Sequence, residues 1–283
     1  MTESASPATP LDPWASGPVT TRATCVLATN PGPMTLDGTN TWVLLEPGST
    51  EAVVVDPGQL RSDTDERHLL AVLAQVEQLG AHVALTIVTH HHFDHAEAGD
   101  RFAELTGAPT KALADLVSDS AESAGEPVLT VGGLDLTVVP TPGHTADSLC
   151  LVVPADNALL TGDTILGRGT TVVAWPDGQL GAYLHSLERI ERLTGSGEVL
   201  RILPGHGPQL RDAAAVVRAY REHRASRLEE VRAAVEAGAT TPQAVVERVY
   251  AAVPREVWPA AELSVRAQLD YLSQHPGGPT YRR

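Results

Sequence analysis

Cysteine is almost missing from this chain. Cys25 and Cys150 are the only two in 283 residues, far apart and in no CxxC pair. That spacing excludes a disulfide framework and a cysteine zinc site. Long apolar runs are missing as well. A membrane span needs about 20 consecutive apolar residues, and stretches such as 84–88 are only the length of a buried strand. There is no GxSxG, so no nucleophile-elbow serine is expected. Basic charge is scarce: 20 Lys+Arg stand against 35 Asp+Glu, a net charge of −15. Such a balance counts against a protein that coats nucleic acid by bulk charge. The opening segment, MTESASPATPLDPW, lacks the basic and apolar regions of a secretory signal. The expectation is therefore a cytoplasmic protein with no membrane association.

What is present is enough for a packed core, with 42% hydrophobic and 19% charged residues. Residues 1–20, rich in Pro, Ser and Thr, read as a loose tail. Short β-rich runs follow at 23–28, 41–45 and 52–55, separated by Pro/Gly turns. Residues 66–79 have helical spacing, 83–88 is a buried-strand run, and 96–105 reads as helix. Strands are expected at 128–131, 134–139, 149–153, 158–160 and 199–203, with an amphipathic helix at 180–193. Beyond Pro208 the pattern is almost all helical, about 211–237, 242–252 and 259–273, with Thr241 as an N-cap ahead of Pro242. Charge changes at the same place: residues 1–210 carry 26 acidic and 9 basic groups, whereas 211–283 carry 9 acidic groups and 11 arginines. The reading is an α/β body over 21–210 and a small helical domain over 211–283.

The chemistry concentrates in TIVTHHHFDHAEAG, which places His90, His92, Asp94 and His95 just after a buried strand. In an extended segment His90 and His92 project to one side and can share a metal. Asp94 and His95 follow where the chain turns into a helix and can reach a second metal. Imidazole and carboxylate together suit zinc. His144 in TPGHTADS, Asp163 in LLTGDT and His206 in ILPGHGP each follow an apolar run with Gly or Pro beside them. Loops at strand ends are where α/β folds gather functional groups. The plainer alternative is a solvated histidine run. A chance HxHxDH is expected in about one chain in a thousand of this composition, before the later motifs are counted. His91 lies between ligands and receives no metal role; His185, His223 and His275 read as ordinary helix or tail residues.

The ordered set HxHxDH, PGHT, TGD and PGHG resembles the metallo-β-lactamase superfamily across about residues 20–210. The resemblance implies an αβ/βα four-layer sandwich and two Zn(2+) ions per chain, with iron or manganese as alternatives. One metal would take His90, His92 and His144. The other would take Asp94, His95 and His206, with Asp163 bridging both. Asp56, in VVVDPG, would support the ligand loop from behind. Asp94 would also orient a metal-bridging hydroxide, making the reaction class metal-assisted hydrolysis.

NPGPMTL followed by DGTNTW, and PGHGP before a long Arg-rich helix, resemble the β-lactamase-like protein 2 group. That group carries a small winged-helix-like C-terminal domain. It implies single-stranded RNA as the leading substrate, with a thioester as the alternative and a homodimer as one assembly. In the thioester reading Thr39, Asn40 and Thr41 would shape an acyl pocket. A metal-bearing binding module with little turnover is the third reading, weakened by the completeness of the ligand set. Two features depart from the group: AEAG replaces a Gly-Gly after HxHxDH, and HPGGPTYRR leaves little room for a β-wing. Arg218, Arg221, Arg224, Arg227 and Arg232 mark the first long C-terminal helix. They read either as a phosphate-facing stripe or as a solvated face, and the interleaved Glu222, Glu229 and Glu230 favour the second.

Overall fold

A computed structural model describes residues 14–118 and 126–275. Two sheets stack face to face. The first contains β1 (Gly17–Pro18), β2 (Ala23–Leu27), β3 (Asn40–Leu44), β4 (Glu51–Val55), β5 (His82–Ile87) and β6 (Thr110–Lys111), in that spatial order. The second contains β7 (Val128–Val131), β8 (Leu134–Pro140), β9 (Leu149–Val153), β10 (Ala158–Gly162) and β11 (Arg201–Pro204), with β11 and β7 at its edges. Helices α1 (Asp63–Gln78), α2 (Phe93–Ala96), α3 (Gly99–Thr106) and α4 (Leu113–Ser118) accompany the first sheet. Helices α5 (Leu180–Gly195), α6 (Ala213–Glu236), α7 (Pro242–Val249) and α8 (Trp258–Gln274) follow β10 and β11.

The near-continuous apolar strands follow from burial on both faces. In β9, Leu149, Leu151 and Val153 enter the core between the sheets, whereas Cys150 and Val152 face the core under α5 and α6. In β4, Val53 and Val55 point between the sheets, and Ala52 and Val54 point toward α1 and α3. The period of two along each strand thus builds helix, sheet, sheet and helix layers.

Where the strands end determines where the site lies. β4 and β5 run parallel with Val55 opposite Ile87, which sets Asp56 beside Thr89 and His90. β10 and β11 run parallel with Gly162 opposite Pro204, which sets Asp163 beside His206. The sheets are joined at this edge by backbone hydrogen bonds, Leu149 N–H to Thr89 O at 2.9 Å and Asn40 N–H to Gly205 O at 2.8 Å.

Three sequence expectations need correction. Residues 14–20 are not a loose tail: β1 pairs with β2, and Trp14 packs on the inter-sheet core and donates to Asn40 Oδ1 at 2.8 Å. Residues 1–13 lie outside the described residues. The expected helix at 96–105 is two pieces, α2 and α3, broken at 97–98 in the AEAG segment. The charge step near 210 does not mark a change in packing. Ala213, Val217 and Tyr220 of α6 belong to the core of the second sheet, and only Val231 and Ala234 further along join α7 and α8. The helix start at 242 is as read: Thr241 Oγ1 accepts from Ala244 N–H at 3.1 Å. Among the described residues no helix is long and apolar enough to cross a membrane.

Trp42 fills the inter-sheet core at 1% exposure, and its Nε1–H donates to Pro204 O at 3.1 Å. Trp42→Ala is expected to lower unfolding free energy by about 3–5 kcal/mol, read from urea unfolding curves.

Candidate metal centre

The segment after β5 turns immediately into α2, so His90 and His92 leave the strand while Asp94 and His95 ride the helix. His144 follows β8, Asp163 follows β10 and His206 follows β11. All seven converge at one edge of the sandwich. His90, His92 and His144 form one group able to hold a metal ion; Asp94, His95 and His206 form a second. Asp163 shares a third group with His90 and His95, and within each group the ligand atoms lie within 4.8 Å of one another. Asp163 straddles the two: Oδ1 is 3.5 Å from both His95 Nε2 and His206 Nε2, and Oδ2 is 3.7 Å from His144 Nε2.

Hydrogen bonding fixes which ring nitrogens face inward. Carbonyl and carboxylate oxygens only accept. His144 Nδ1–H donates to Val172 O at 2.8 Å, His206 Nδ1–H to Gly38 O at 3.2 Å and His95 Nδ1–H to Asp56 Oδ2 at 2.8 Å. Thr89 Oγ1–H donates to Asp56 Oδ2 at 2.8 Å, so it accepts from His90 Nδ1–H at 3.0 Å. In its neutral form each of these rings directs an Nε2 lone pair into the centre.

The resulting contacts have the spacing that ligands around a metal ion would have. His95 Nε2 and His206 Nε2 stand 3.1 Å apart, and His92 Nδ1 is 3.1 Å from His90 Nε2 and 3.0 Å from His144 Nε2. Zinc bonds of 2.0–2.1 Å at tetrahedral angles would set ligand atoms about 3.3 Å apart. Asp163 Oδ1 is buried and has no hydrogen-bond partner. Gly205 keeps this space open, since a Cβ there would lie 2.7 Å from Asp163 Oδ1 and 2.8 Å from His95 Cε1.

Proton affinities divide along the same line. Burial, reinforced by neighbouring rings, holds His90 well below the usual histidine range, and burial also lowers His144. Burial first and then His144 bring His92 down to about 4. These rings are neutral at pH 7, the form that ligates metal. Burial alone would raise Asp163, but His206 and His95 more than reverse it and hold the carboxyl well below its ordinary value. Asp94 is likewise lowered against its burial, chiefly by the His206 hydrogen bond. His95 and His206 are raised despite burial, because Asp163 and the other carboxylates draw protons to them. With one ring protonated at Nε2 the pair shares an N–H···N bond; with both neutral it places lone pair against lone pair, and a cation between them would satisfy both.

The other candidates fall elsewhere. Asp56 lies behind the centre at φ +56°, accepting from Thr89 N–H at 2.7 Å, Thr89 Oγ1–H and His95. Thr39, Asn40 and Thr41 do not line a pocket: all three are fully buried and engaged with protein partners. Asn40 Nδ2 donates to Pro204 O at 2.9 Å and Gly207 O at 2.8 Å, bracing the His206 loop. Thr41 Oγ1–H donates to Asp56 O at 2.6 Å and accepts from His68 Nε2 at 2.8 Å. His91 points outward and meets Asp147 at 2.9 Å.

The arginine stripe is neither phosphate-facing nor a uniformly solvated face. Arg221 pairs with Glu191, and Arg227 pairs with Glu230 at 2.7 Å. Arg224 is buried. Sequence reasoning missed Thr89, although a threonine directly before the histidine cluster was a usable signal. The carbonyls of Gly38 and Val172 leave no side-chain trace.

A class of protein is now defined: two stacked sheets with a His/Asp cluster at the strand ends. Residues 34–206 match the family model described as the metallo-beta-lactamase superfamily, and residues 241–275 match the beta-lactamase associated winged helix domain. The chain belongs to the metallo-β-lactamase superfamily. It is 34% identical over 259 residues to the beta-lactamase-like protein 2 homolog of Caenorhabditis elegans, covering 88% of this chain and 83% of the relative. It is 31% identical over 256 residues to an atrochrysone carboxyl ACP thioesterase of Aspergillus fumigatus, covering 83% and 76%. The crystal structure of a beta-lactamase domain protein from Burkholderia ambifaria superposes with a TM-score of 0.76 at 22% identity, over 95% of this chain and 91% of that one.

Two outcomes are expected here. Asp56→Asn replaces one of the two acceptor oxygens that order His95 and, through Thr89, His90 by a donor; metal affinity should fall about 10- to 100-fold in competition titrations. Burial holds neutral His68 down to about 4. Its folded pKa is below the unfolded value near 6.5, so it weakens the fold as pH falls from about 6.5 toward 4, by at most about 3 kcal/mol. His68→Gln, which keeps a donor to Thr41, should flatten that part of the acid-unfolding profile.

Proposed function

We propose that this chain is a dinuclear zinc-dependent hydrolase whose substrate is a thioester. The metal reading is carried by the convergence of the Nε2 atoms of His90, His95, His144 and His206 on the buried Asp163 carboxylate. One ion would be held by His90, His92 and His144, the other by Asp94, His95 and His206, with Asp163 between them. Bound there, the two ions lower the pKa of water and stabilise negative charge developing on the substrate oxygen.

The chain's own residues limit the choice of electrophile. The Nδ1 protons of His90, His95, His144 and His206 are committed to Thr89, Asp56, Val172 and Gly38. Asp94 is ionised and can hold the attacking water's orientation as an acceptor, not as an acid. These ligands thus offer no spare proton to a leaving group. A thiolate departs without one near neutral pH, because a thiol's pKa is about 8.5. An alkoxide leaving from a phosphodiester is far more basic and would depend on a bound metal ion or on a proton from elsewhere.

The surroundings point the same way. Phe93, between His92 and Asp94, is 45% exposed, with the Arg61 guanidinium over one face of its ring at 3.7 Å. Met34, in the loop that ends at Gly38, is 51% exposed, and Trp175, three residues beyond Val172, is 41% exposed. Exposed apolar side chains on the segments that carry the ligands suit an acyl group. A polyanion would meet the acidic body instead, and Arg221, Arg224 and Arg227, which would have to guide it, are engaged with the protein. A curated relative carrying a thioesterase name adds support. Single-stranded RNA, to which the group resemblance leads, is the competing substrate.

Zinc-loaded protein should hydrolyse members of an acyl-thioester panel, lose that activity to a chelator and to Asp94→Ala, and leave single-stranded RNA intact. Metal-dependent cleavage of RNA with every thioester untouched would reject the proposal. Analysis of metal content should give two ions per chain.

A further inference from the structure

Helix α6 begins against the second sheet and ends among α7 and α8, and Arg224 sits halfway along it. Its side chain is 7% exposed, and its Nε is buried without a hydrogen-bond partner. No carboxylate lies within ion-pair distance of it among the described residues. A buried guanidinium without a countercharge is a poor way to fill space, since a methionine of similar length would need no desolvation. What Arg224 does reach is the loop over 163–179, a long irregular connection between β10 and α5.

We propose that Arg224 is a positioning residue for the metal centre, holding Asp163 and His144 in place through Thr171 and Val172. This rests on the metal-binding reading above. Arg224 Nη2–H donates to Thr171 O. The hydroxyl of the same Thr171 donates to Asp163 O, and the next carbonyl, Val172 O, accepts from His144 Nδ1–H at 2.8 Å. One guanidinium thus fixes a two-residue unit that touches two of the seven ligands.

Neighbouring side chains complete the clamp. The guanidinium lies over the Tyr183 ring at 4.9 Å, and Tyr183 Oη–H donates to Thr164 O at 2.6 Å. One turn earlier on α6, Tyr220 Oη accepts from Leu166 N–H at 2.8 Å. The loop after Asp163 is therefore held from behind at positions 164, 166 and 171 by α5 and α6. Arg224 acts at the end that also orients His144, where Trp175 N–H in addition donates to Leu263 O at 3.3 Å. The helix that leads into the C-terminal domain thereby sets the geometry of the centre.

The test is cobalt(II) titration of the apo-protein, following the visible absorption bands and competing with a chelator. Arg224→Met should fold, bind cobalt about 10- to 100-fold more weakly and show shifted bands. Arg224→Lys, which keeps a donor for Thr171 O, should restore a large part of both. Arg218→Met, exposed on the same helix, should match wild type. An Arg224→Met protein with wild-type affinity and spectrum, altered only in melting temperature, overturns the proposal. Should Arg224→Met fail to fold, Thr171→Val decides, because it cuts the chain one link nearer Asp163 while leaving Arg224 in place. Weaker binding with shifted bands supports the assignment, and wild-type behaviour overturns it. A wild-type protein that binds no cobalt removes the metal-binding reading itself, a result distinct from equal binding by wild type and variants.

Discussion

The Asp56 carboxylate, almost wholly buried, accepts from Thr89 N–H, Thr89 Oγ1–H and His95 Nδ1–H. Through Thr89 it also orders His90. One carboxylate therefore fixes the tautomer of one histidine in each ligand group. Without that acceptor the rings could rotate or place a proton on the nitrogen that faces the centre, and a cation would have to compete with it. Asp56 holds this position at a positive φ, a conformation unfavourable for a side-chain-bearing residue. The cost is sustained by the parallel pairing of β4 with β5, continued by Asp56 N–H to Ile87 O at 2.9 Å, and by Thr41 beneath its carbonyl.

The opposite half of the centre is ordered by a different device. His144 and His206 rest on the backbone carbonyls of Val172 and Gly38, so their tautomers depend on loop conformation. Those loops are held by groups far off in sequence. Asn40 clasps the carbonyls on either side of the His206 turn, and Arg168 pairs with Asp37 at 2.7 Å to tie the two loops together. Gly143 permits this packing by close approach, since a Cβ there would lie 2.3 Å from Tyr183 Cα at the start of α5. One half of the site is thus built into a strand end, and the other is built onto braced loops.

That division explains what could be read from the sequence. The ligands were legible because HxHxDH, PGHT, TGD and PGHG are local patterns at strand ends, and the two-sided strands were legible because both faces are apolar. The bracing was not. Asn40 and Thr41 look like residues near a site, yet the sequence offers no sign that their partners are backbone carbonyls 164 and 15 positions away. Trp14 lies in a segment of Pro, Ser and Thr whose composition is that of a tail, and only the inter-sheet core gives it a place. Arg224 has the same spacing as Arg221 and Arg227, which are only partly buried, and helical periodicity cannot distinguish them from an arginine turned toward a loop.

The charge step near residue 210 acquires a physical meaning once the two patterns are separated. It does not coincide with the change in packing, because α6, which begins just beyond it at Ala213, packs first on the second sheet and then with α7 and α8. It does place the excess of acidic groups in the part of the chain that contains the ligands. Asp94 and Asp163 would neutralise only part of the charge of the two divalent ions proposed for this centre, and an acidic body around them would favour retention of such ions. The same field opposes a polyanionic substrate and leaves a neutral acyl thioester unaffected. Electrostatics that would be an obstacle for a nuclease is therefore compatible, without any rearrangement of the arginines, with the thioester hydrolysis proposed above.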